Sequence, residues 1–278
     1  MSESKNIRLI PAIDYMYLCK SKYWCALRYF IEFAYNGMAF HGWQIQPNAI
    51  TVQQTLNEAL TTVLRQEVYA VGAGRTDTGV HALQMFAHFD TSEPIDDLER
   101  LTRSLNGILY PNVAVNQVFR VSDEAHARFS AIEREYQYDI HYKHNPFLYQ
   151  RSLLWLWQPF DVAQLNRISQ LLLGEKDFSC FEKTGGNNKH SYCHVRLAQW
   201  TETDVGIRFT IRANRFLRNM VRAIVGTLLD YGSGKLSESE FTFVLESGDR
   251  RQAGASVPPY ALYLTQVCYP DTIFITHE

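Results

Sequence analysis

Hydrophobic residues recur along the chain with two different spacings, which predict alternating strands and helices. Residues 26–35 are rich in aromatic and β-branched side chains, as is typical of a strand. A helix is predicted next because Thr51 is a natural N-cap and the apolar residues after it follow a helical period. These residues are Val52, Leu56, Ala59, Leu60, Val63 and Leu64.

The same patterns continue to the end of the chain. In the first half they predict strands over 67–73, 80–89 and 113–121, and a helix over 95–109. In the second half they predict strands over 133–142, 195–203, 206–213 and 261–269, a helix capped by Asp161 that runs to 173, a helix over 216–231, and one capped by Ser237. This interleaving favours an α+β fold over a regular parallel β/α array.

The chain is predicted to consist of an N-terminal extension and two domains. Residues 1–25 show no sustained periodicity and are interpreted as an N-terminal extension outside the fold. Residues 26–126 and 127–278 are predicted to form an N-terminal and a C-terminal α/β domain. The similar plan of the two suggests an internal pseudo-repeat.

Composition narrows the class of protein. The chain has 278 residues, of which 46% are hydrophobic and 20% charged, enough apolar material for a sizeable core. No apolar run reaches the roughly 18–20 residues of a membrane span, and the early apolar stretch 9–18 is broken by Pro11 and Asp14, unlike a secretory signal. The five cysteines contain no CxxC pair and are expected to be reduced thiols. We therefore expect a cytoplasmic protein.

Positive charge is concentrated in one segment, although the formal net charge is only −2. Residues 205–229 contain arginines but no lysine or acid, at Arg208, Arg212, Arg215, Arg218 and Arg222. If 216–231 is a helix, Arg215, Arg218 and Arg222 share one face, and the first two lie near its positive N-terminal end. That position is unfavourable for cations unless an anion is present, and phosphate is the obvious one.

The candidate chemistry lies in the glycine-rich loop 72–79, in which Arg75 and Asp77 stand among small residues. One interpretation is a structural turn, in which Asp77 bonds its own backbone. A second is an aspartic protease, which also uses Asp-Thr-Gly. Those enzymes need two carboxylates sharing a proton, and a nearby arginine opposes that arrangement. A phosphate-binding loop is disfavoured because no Walker or GxGxxG spacing follows.

The run Gly74-Arg75-Thr76-Asp77-Thr78-Gly79-Val80-His81-Ala82 resembles the active-site motif of the tRNA pseudouridine synthase A family. Other runs resemble the same family in the same order between about 27 and 270: Phe40-His41-Gly42-Trp43-Gln44, Thr51-Val52-Gln53, Ala127-Arg128-Phe129-Ser130-Ala131, Lys176-Asp177-Phe178, Asn219-Met220-Val221-Arg222, Ile224-Val225-Gly226 and Leu262-Tyr263-Leu264.

The resemblance implies a fold, a reaction and partners. The fold would be two ferredoxin-like (RRM-like) halves whose antiparallel sheets lie side by side as one extended sheet, with a central basic cleft. The reaction would isomerise uridine to pseudouridine at positions 38, 39 and 40 of the tRNA anticodon stem-loop. It would need neither cofactor nor metal, and the protein would act as a homodimer.

The resemblance also implies roles for individual residues. Asp77 would be the catalytic carboxylate, as nucleophile or as a base toward the sugar, and Arg222 the basic residue beside it. Tyr136 would stack on the flipped uracil and could help to remove the C5 proton. Leu262 would complete an apolar wall, although Ala261 stands where the family usually has glycine. Further tRNA contacts are expected from Arg75, Arg215, Arg218 and His81. For His81, a structural hydrogen bond within the loop is an equal alternative.

Two other interpretations stay open at this point. His190, Cys193 and His194, with Cys180 nearby, could form a metal cluster, but their spacing does not match a zinc site. A non-catalytic RNA-binding protein on the same double-RRM-like plan would use aromatic residues on the sheet. It would have no need of an ionised aspartate beside an arginine.

Overall fold

One large sheet forms the centre of the structure, a computed structural model that describes residues 27–185 and 190–275. The extension predicted over 1–25, with Cys19 and Cys25, lies outside the described residues. The strands are β1 (Leu27–Tyr35), β2 (Val71–Gly72), β3 (His81–Thr91), β4 (Val113–Arg120), β5 (Glu133–His141), β6 (Leu153–Leu154), β7 (Gly174–Asp177), β8 (Tyr192–Thr203), β9 (Gly206–Ala213) and β10 (Leu262–Cys268). The helices are α1 (Val52–Leu64), α2 (Leu98–Leu109), α3 (Val162–Ser169), α4 (Met220–Gly232) and α5 (Glu238–Ser247).

The sheet is mixed and joins the two halves of the chain. Its order is β4-β1-β3-β10-β5-β9-β8-β7, with β2 paired to β3 and β6 to β5. The last strand, β10, lies in the middle: it runs parallel to β3 through Tyr263 and His81. It also runs antiparallel to β5, pairing Leu264 with Tyr136. The predicted α+β class and the single extended sheet are confirmed.

Two hydrophobic clusters fill the interior, one toward each end of the sheet. The first contains Phe30, Leu56 and Leu105, and it also takes in Leu264 from β10. The second contains Trp200 and Ile224. Tyr136 packs against both clusters. No helix among the described residues combines the length and the apolar character that crossing a membrane demands.

Side-chain caps fix several helix starts where the sequence predicts them. The Thr51 side chain accepts a hydrogen bond from the Gln54 N–H at the start of α1, and Asp161 accepts one from Gln164 at the start of α3. Ser237 and Glu240 form a capping box on α5. The helix predicted from 95 begins at Leu98 instead, because Asp97 accepts the cap bond from Arg100.

The strand predicted over 67–73 is reduced to β2. Its first residues bond to α1 and not to a neighbouring strand: Val68 N–H donates to Thr61 Oγ1 and Ala70 N–H to Asn57 Oδ1. The amide of Gln53 donates in turn to the carbonyl of Ala70. Side chains of the helix therefore satisfy backbone groups that a strand would have paired.

The helix predicted over 216–231 is wrong at its start, because α4 begins only at Met220. Asn219 adopts the left-handed conformation with φ of 65°, which the first turn of a helix cannot include. Arg215 and Arg218 therefore lie in the irregular segment before α4, and only Arg222 belongs to the helix. The three do not share a helix face, and the argument from the helix dipole does not apply to the first two.

Candidate active site

An open cleft of about 890 Å³ brings together segments that are far apart in the sequence. Its lining comes from the segment 41–46, the β2–β3 loop, the 128–136 region, Gly185, the segment leading into α4 with the first turn of that helix, and β10. The acid in this lining is Asp77, and the same lining contains six arginines: Arg75, Arg128, Arg134, Arg215, Arg218 and Arg222. Since arginine stays charged at any ordinary pH, the lining carries an excess of positive charge.

The loop that carries Asp77 is held by its own backbone, by Trp43 and by Tyr35 of β1. The carbonyl of Asp77 accepts from Val80 N–H over 3.1 Å, and the carbonyl of Thr76 accepts from Trp43 N–H over 3.2 Å. The Tyr35 hydroxyl bonds to Thr76 Oγ1 over 2.9 Å. These contacts leave the carboxylate of Asp77 to face the cleft, with 32% of its side chain exposed.

Gly42 packs directly behind this loop. Its φ is 85°, and a Cβ added there would lie 2.6 Å from the carbonyl oxygen of Thr76. A side chain at this position would both strain the backbone and push the loop toward the cleft. The sequence gives the run Phe40–Gln44 only as part of the family resemblance. The structure shows that its glycine allows the Asp77 loop to pack closely against it.

Arg222 lies in the first turn of α4 and faces Asp77. Its Nη1 donates to Asp77 Oδ2 over 3.1 Å, and its Nε donates to the carbonyl of Val257 over 2.8 Å. The Val257 N–H donates back to the carbonyl of Arg222 over 3.1 Å. The second contact fixes the plane of the guanidinium, so the structure brings together the Asp–Arg pair predicted from the sequence.

Tyr136 and Leu262 also meet in the cleft. Tyr136 stands on β5 and pairs with Leu264 of β10, while Leu262 pairs with Tyr138. The ring of Phe216 packs edge-to-face on Tyr136 at 5.0 Å. Burial raises the pKa of Tyr136 to about 12, with Arg134 lowering it and Asp77 raising it further. The result is a wall of aromatic and aliphatic side chains beside the carboxylate.

The alanine at position 261 causes no backbone strain. Ala261 is fully buried at the end of a short 3-10 turn. It is absent from the non-glycine residues with positive φ among the described part of the chain. Leu262 therefore reaches the cleft although its preceding residue departs from the family's usual glycine.

The remaining predicted arginines stand at the rim of the cleft. Arg75 and Arg218 are exposed, and neither guanidinium has an ion pair or hydrogen bond with residues 27–185 or 190–275. The guanidinium of Arg215 donates to the carbonyl of His190 over 3.5 Å. Two of the three cations are therefore available to an anion entering from solvent.

His81 does not line the cleft. Its Nδ1 accepts from Gly37 N–H over 3.1 Å, which leaves Nε2 to donate to the carbonyl of Tyr260 over 3.0 Å. The ring stacks on Tyr263 at 4.7 Å, and burial lowers the pKa of His81. This geometry favours the structural alternative for His81 over a tRNA contact.

Arg134 is a residue of the site that the sequence prediction missed. Its guanidinium donates to four backbone carbonyls, those of Ala73, Arg128, Ala131 and Asn214. These belong to the three segments that deliver Asp77, Phe129 and Arg215 to the cleft. The available signal was its position: on β5 it shares a face with Tyr136 and Tyr138, where a charged side chain needs partners.

Two alternatives find no support in this geometry. Asp77 is the one carboxylate in the lining formed by described residues, so a shared-proton pair as in aspartic proteases is missing from it. On β8, Cys193 is buried in the core while His194 is exposed, so the two cannot bind one ion. Burial also raises the thiol pKa of Cys193 to about 12. Across the described ranges, no group of three or more His, Cys, Asp or Glu could hold a metal.

Comparison with known proteins agrees with the family resemblance. A family model described as tRNA pseudouridine synthase matches residues 168–270. The chain is 49% identical to the tRNA pseudouridine synthase A of Parabacteroides distasonis over 248 residues, which covers 89% of the chain and 98% of that protein. It is 46% identical to the Bacteroides fragilis protein of that name, over 89% of the chain and 98% of the relative. Identity to the Gloeobacter violaceus protein of that name is 40%, over 87% and 80%.

Proposed function

The chain belongs to the tRNA pseudouridine synthase A family, a family of isomerases, and from this premise we propose that it isomerises uridine to pseudouridine in tRNA with Asp77 as the catalytic carboxylate. The observation that carries the proposal is the contact between Arg222 and Asp77 in a cleft lined by arginines. The guanidinium places an opposite charge 3.1 Å from the carboxylate and fixes its orientation in the cleft.

The proposed reaction rearranges bonds without consuming a second reactant. The C1′–N1 bond breaks with its electron pair left on N1, the uracil turns, and C5 bonds to C1′; the C5 proton passes to solvent and N1 takes one from solvent. Asp77 can attack C1′ as a nucleophile or take a proton from the sugar, and either role needs the free carboxylate oxygen. Neither oxidant, reductant nor water enters the balance, so this chemistry requires no cofactor and no metal.

Tyr136 and Leu262 hold the uracil in this proposal. A base inside a stacked RNA cannot be attacked at C1′ and C5, so the target uridine leaves the stack at a cost of a few kcal/mol. The Tyr136 ring offers a stacking surface. Because its pKa is about 12, its hydroxyl stays protonated at neutral pH and acts as a hydrogen-bond donor, not as a phenolate base. Leu262 closes the apolar side.

Arg75 fills the space that the extruded base leaves or binds a phosphate, and Arg215 and Arg218 bind the RNA backbone. Support comes from their shared position on the cleft lining. Neutralising a phosphate releases counterions, so affinity falls as the salt concentration rises. Each phosphate contact makes the negative slope of log affinity against log salt steeper by roughly one. His81 acts through its two internal hydrogen bonds, which tie the loop end to Gly37 and Tyr260.

The finer features of this proposal come from the family resemblance. They are a target in the anticodon stem-loop at positions 38, 39 and 40, a homodimer, and a cytoplasmic location. We also propose that 26–126 and 127–278 are two ferredoxin-like domains flanking a basic cleft. The two hydrophobic clusters support that division, although Leu264 of β10, a strand of the C-terminal segment, packs in the first cluster. Sedimentation tests the dimer, and pseudouridine mapping of tRNA tests the positions.

The decisive experiment replaces Asp77 with Asn. We expect tritium release from tRNA carrying 5-tritiated uridine to disappear while tRNA binding persists. Asp139→Asn is the matched control, because Asp139 also pairs with an arginine, Arg208 at 2.6 Å, but lies outside the cleft lining. Release retained by Asp77→Asn would overturn the assignment. A wild-type protein that binds tRNA without release would point to the non-catalytic RNA-binding alternative.

A further inference from the structure

Phe129 is an exposed aromatic side chain at the edge of the cleft. It belongs to the cleft lining together with Asp77, yet 76% of it is exposed to solvent. Most other apolar side chains of the lining, such as Leu262 and Leu264, are buried. An exposed phenylalanine gives up the free energy that its burial would contribute, so its position calls for an explanation.

The turn that presents Phe129 is rigidly bonded. The Nδ1 of His126 accepts from both Arg128 N–H and Phe129 N–H, at 3.1 and 3.3 Å. The His126 N–H donates to Ser130 Oγ over 2.9 Å, and the Ser130 N–H donates to the carbonyl of His126 over 2.9 Å. The exposed ring is therefore held by an internally bonded turn and is not at the tip of a loose loop.

The turn is also anchored to the rest of the protein. Ala127 N–H donates to His88 Nδ1 over 3.1 Å, and the Tyr269 hydroxyl donates to the carbonyl of Ala127 over 2.6 Å. Arg134 holds the carbonyl of Arg128 over 2.6 Å. Such anchoring fixes the backbone that carries the ring before any ligand arrives, which lowers the entropy cost of binding there.

The positively charged side chain of Arg128 lies close to the ring of Phe129. The guanidinium carbon of Arg128 lies 5.7 Å from the centroid of the Phe129 ring, within the range of a cation–π contact. Arg128 is itself exposed. The His126 ring also contacts that of Phe129, with centroids 4.4 Å apart, and most of the residue is still exposed. An exposed aromatic surface close to a positive charge matches the two parts of a nucleotide, its base and its phosphate.

We propose that Phe129 is a stacking platform for an unpaired nucleobase that flanks the target uridine, with Arg128 neutralising the adjoining phosphate. This inference rests on the proposed function, because it requires RNA in the cleft. Extrusion of the uridine removes a stacking neighbour from each flanking base. The ring of Phe129 restores that contact for one of them and so stabilises the opened RNA.

The test compares substitutions at Phe129 that separate aromatic stacking from mere apolar bulk. Phe129→Ala and Phe129→Leu are expected to weaken tRNA binding, measured as the dissociation constant, by about 5- to 150-fold, the effect of one stacked base. Phe129→Tyr is expected to bind within about twofold of wild type. Phe243→Ala, on α5 with 57% exposure and outside the cleft lining, is the control and should change nothing.

The outcomes separate this inference from the function on which it rests. Wild-type affinity in Phe129→Ala, or in Phe129→Leu, overturns the platform even when tritium release by the wild type upholds the synthase. If the wild type releases no tritium, the synthase proposal fails, while the affinities still decide whether Phe129 binds RNA. Arg128→Ala should also reduce the salt slope of binding by roughly one, and an unchanged slope overturns its phosphate contact.

Discussion

Nη1 of Arg222 lies 3.1 Å from Oδ2 of Asp77, although 145 positions of the sequence separate the two residues. One stands in the first turn of α4 and the other in the β2–β3 loop, so the contact exists only when both halves of the chain are folded. Both side chains are partly shielded, with 19% and 32% exposure, so solvent screens the pair less than it would a surface ion pair.

Arg222→Lys is expected to lower kcat for tritium release by about 100- to 1000-fold, the usual cost of losing one preorganised donor in an active site. Lysine keeps the charge but has a single donor group, so it cannot hold Val257 and Asp77 in the geometry of the guanidinium. Arg208→Lys, at a comparable ion pair with Asp139 outside the cleft lining, is the control. Near-normal turnover in Arg222→Lys contradicts the proposed role.

Arg134→Lys is expected to lower both the free energy of unfolding and kcat. The carbonyls that lose their donor cost about 1–3 kcal/mol each if they stay buried, and the three segments that they position become free to move. Urea denaturation measures the first effect and tritium release the second. Arg120→Lys removes guanidinium contacts to the carbonyls of Arg28 and Val121 away from the cleft, so it should reduce stability alone. Equal loss of turnover in both variants would speak against a positioning role for Arg134.

Gly42→Ala is expected to reduce turnover strongly, because its methyl group would meet the carbonyl oxygen of Thr76 at 2.6 Å. The positive φ of Gly42 adds backbone strain. Gly107→Ala is the matched control: Gly107 lies within α2 with open space around it, and alanine there should stabilise the protein by about 0.5–1 kcal/mol. Thermal unfolding and tritium release of both variants check this. A fully active Gly42→Ala would mean that the loop adapts without moving Asp77.

The stability of the protein is expected to fall as the pH drops from 6.5 toward 4. Burial lowers the pKa of His88 to about 4, helped by Arg28 and His126. The folded state therefore keeps the ring neutral, while the unfolded chain binds a proton near pH 6.5. The stabilisation is complete above 6.5 and is lost as the pH falls through the folded pKa, about 3 kcal/mol in all. In His88→Gln this pH dependence should shrink, and in His144→Gln, at an exposed position, it should persist.

The sequence predicts those elements whose causes are local. Thr51, Asp161 and Ser237 cap helices where their residue types indicate, because a cap depends on bonds within a few residues. The start of α4 is missed because the apolar period runs on through Phe216 and Leu217, while the left-handed Asn219 interrupts the helix. Nothing in the local pattern specifies that β10 inserts between β3 and β5, since that pairing joins residues far apart in sequence.

The candidate site shows the same difference between what local sequence motifs reveal and what only long-range contacts reveal. Asp77, Arg222, Tyr136 and Leu262 were predicted from motifs, and the structure brings all four to one cleft. Arg134 was not predicted in its role, because it acts through hydrogen bonds to segments far from it in the sequence, at Ala73 and Asn214. The role proposed for Phe129 was not predicted because the sequence does not show that its ring is exposed beside the cleft. For His81 the motif left an RNA contact and a structural hydrogen bond as equal alternatives, and its bonds to Gly37 and Tyr260 favour the second.

The central position of β10 has a consequence for biosynthesis. While a ribosome is still translating the segments before Leu262, the emerging chain has β3 and β5 without the strand that joins them. Each then presents an unpaired backbone edge, a known route to aggregation. The cleft also lacks Leu262 and Leu264 until that strand is made. A truncated translation product therefore carries Asp77 without the apolar side chains that β10 adds to the cleft, and its unpaired strand edges expose it to aggregation.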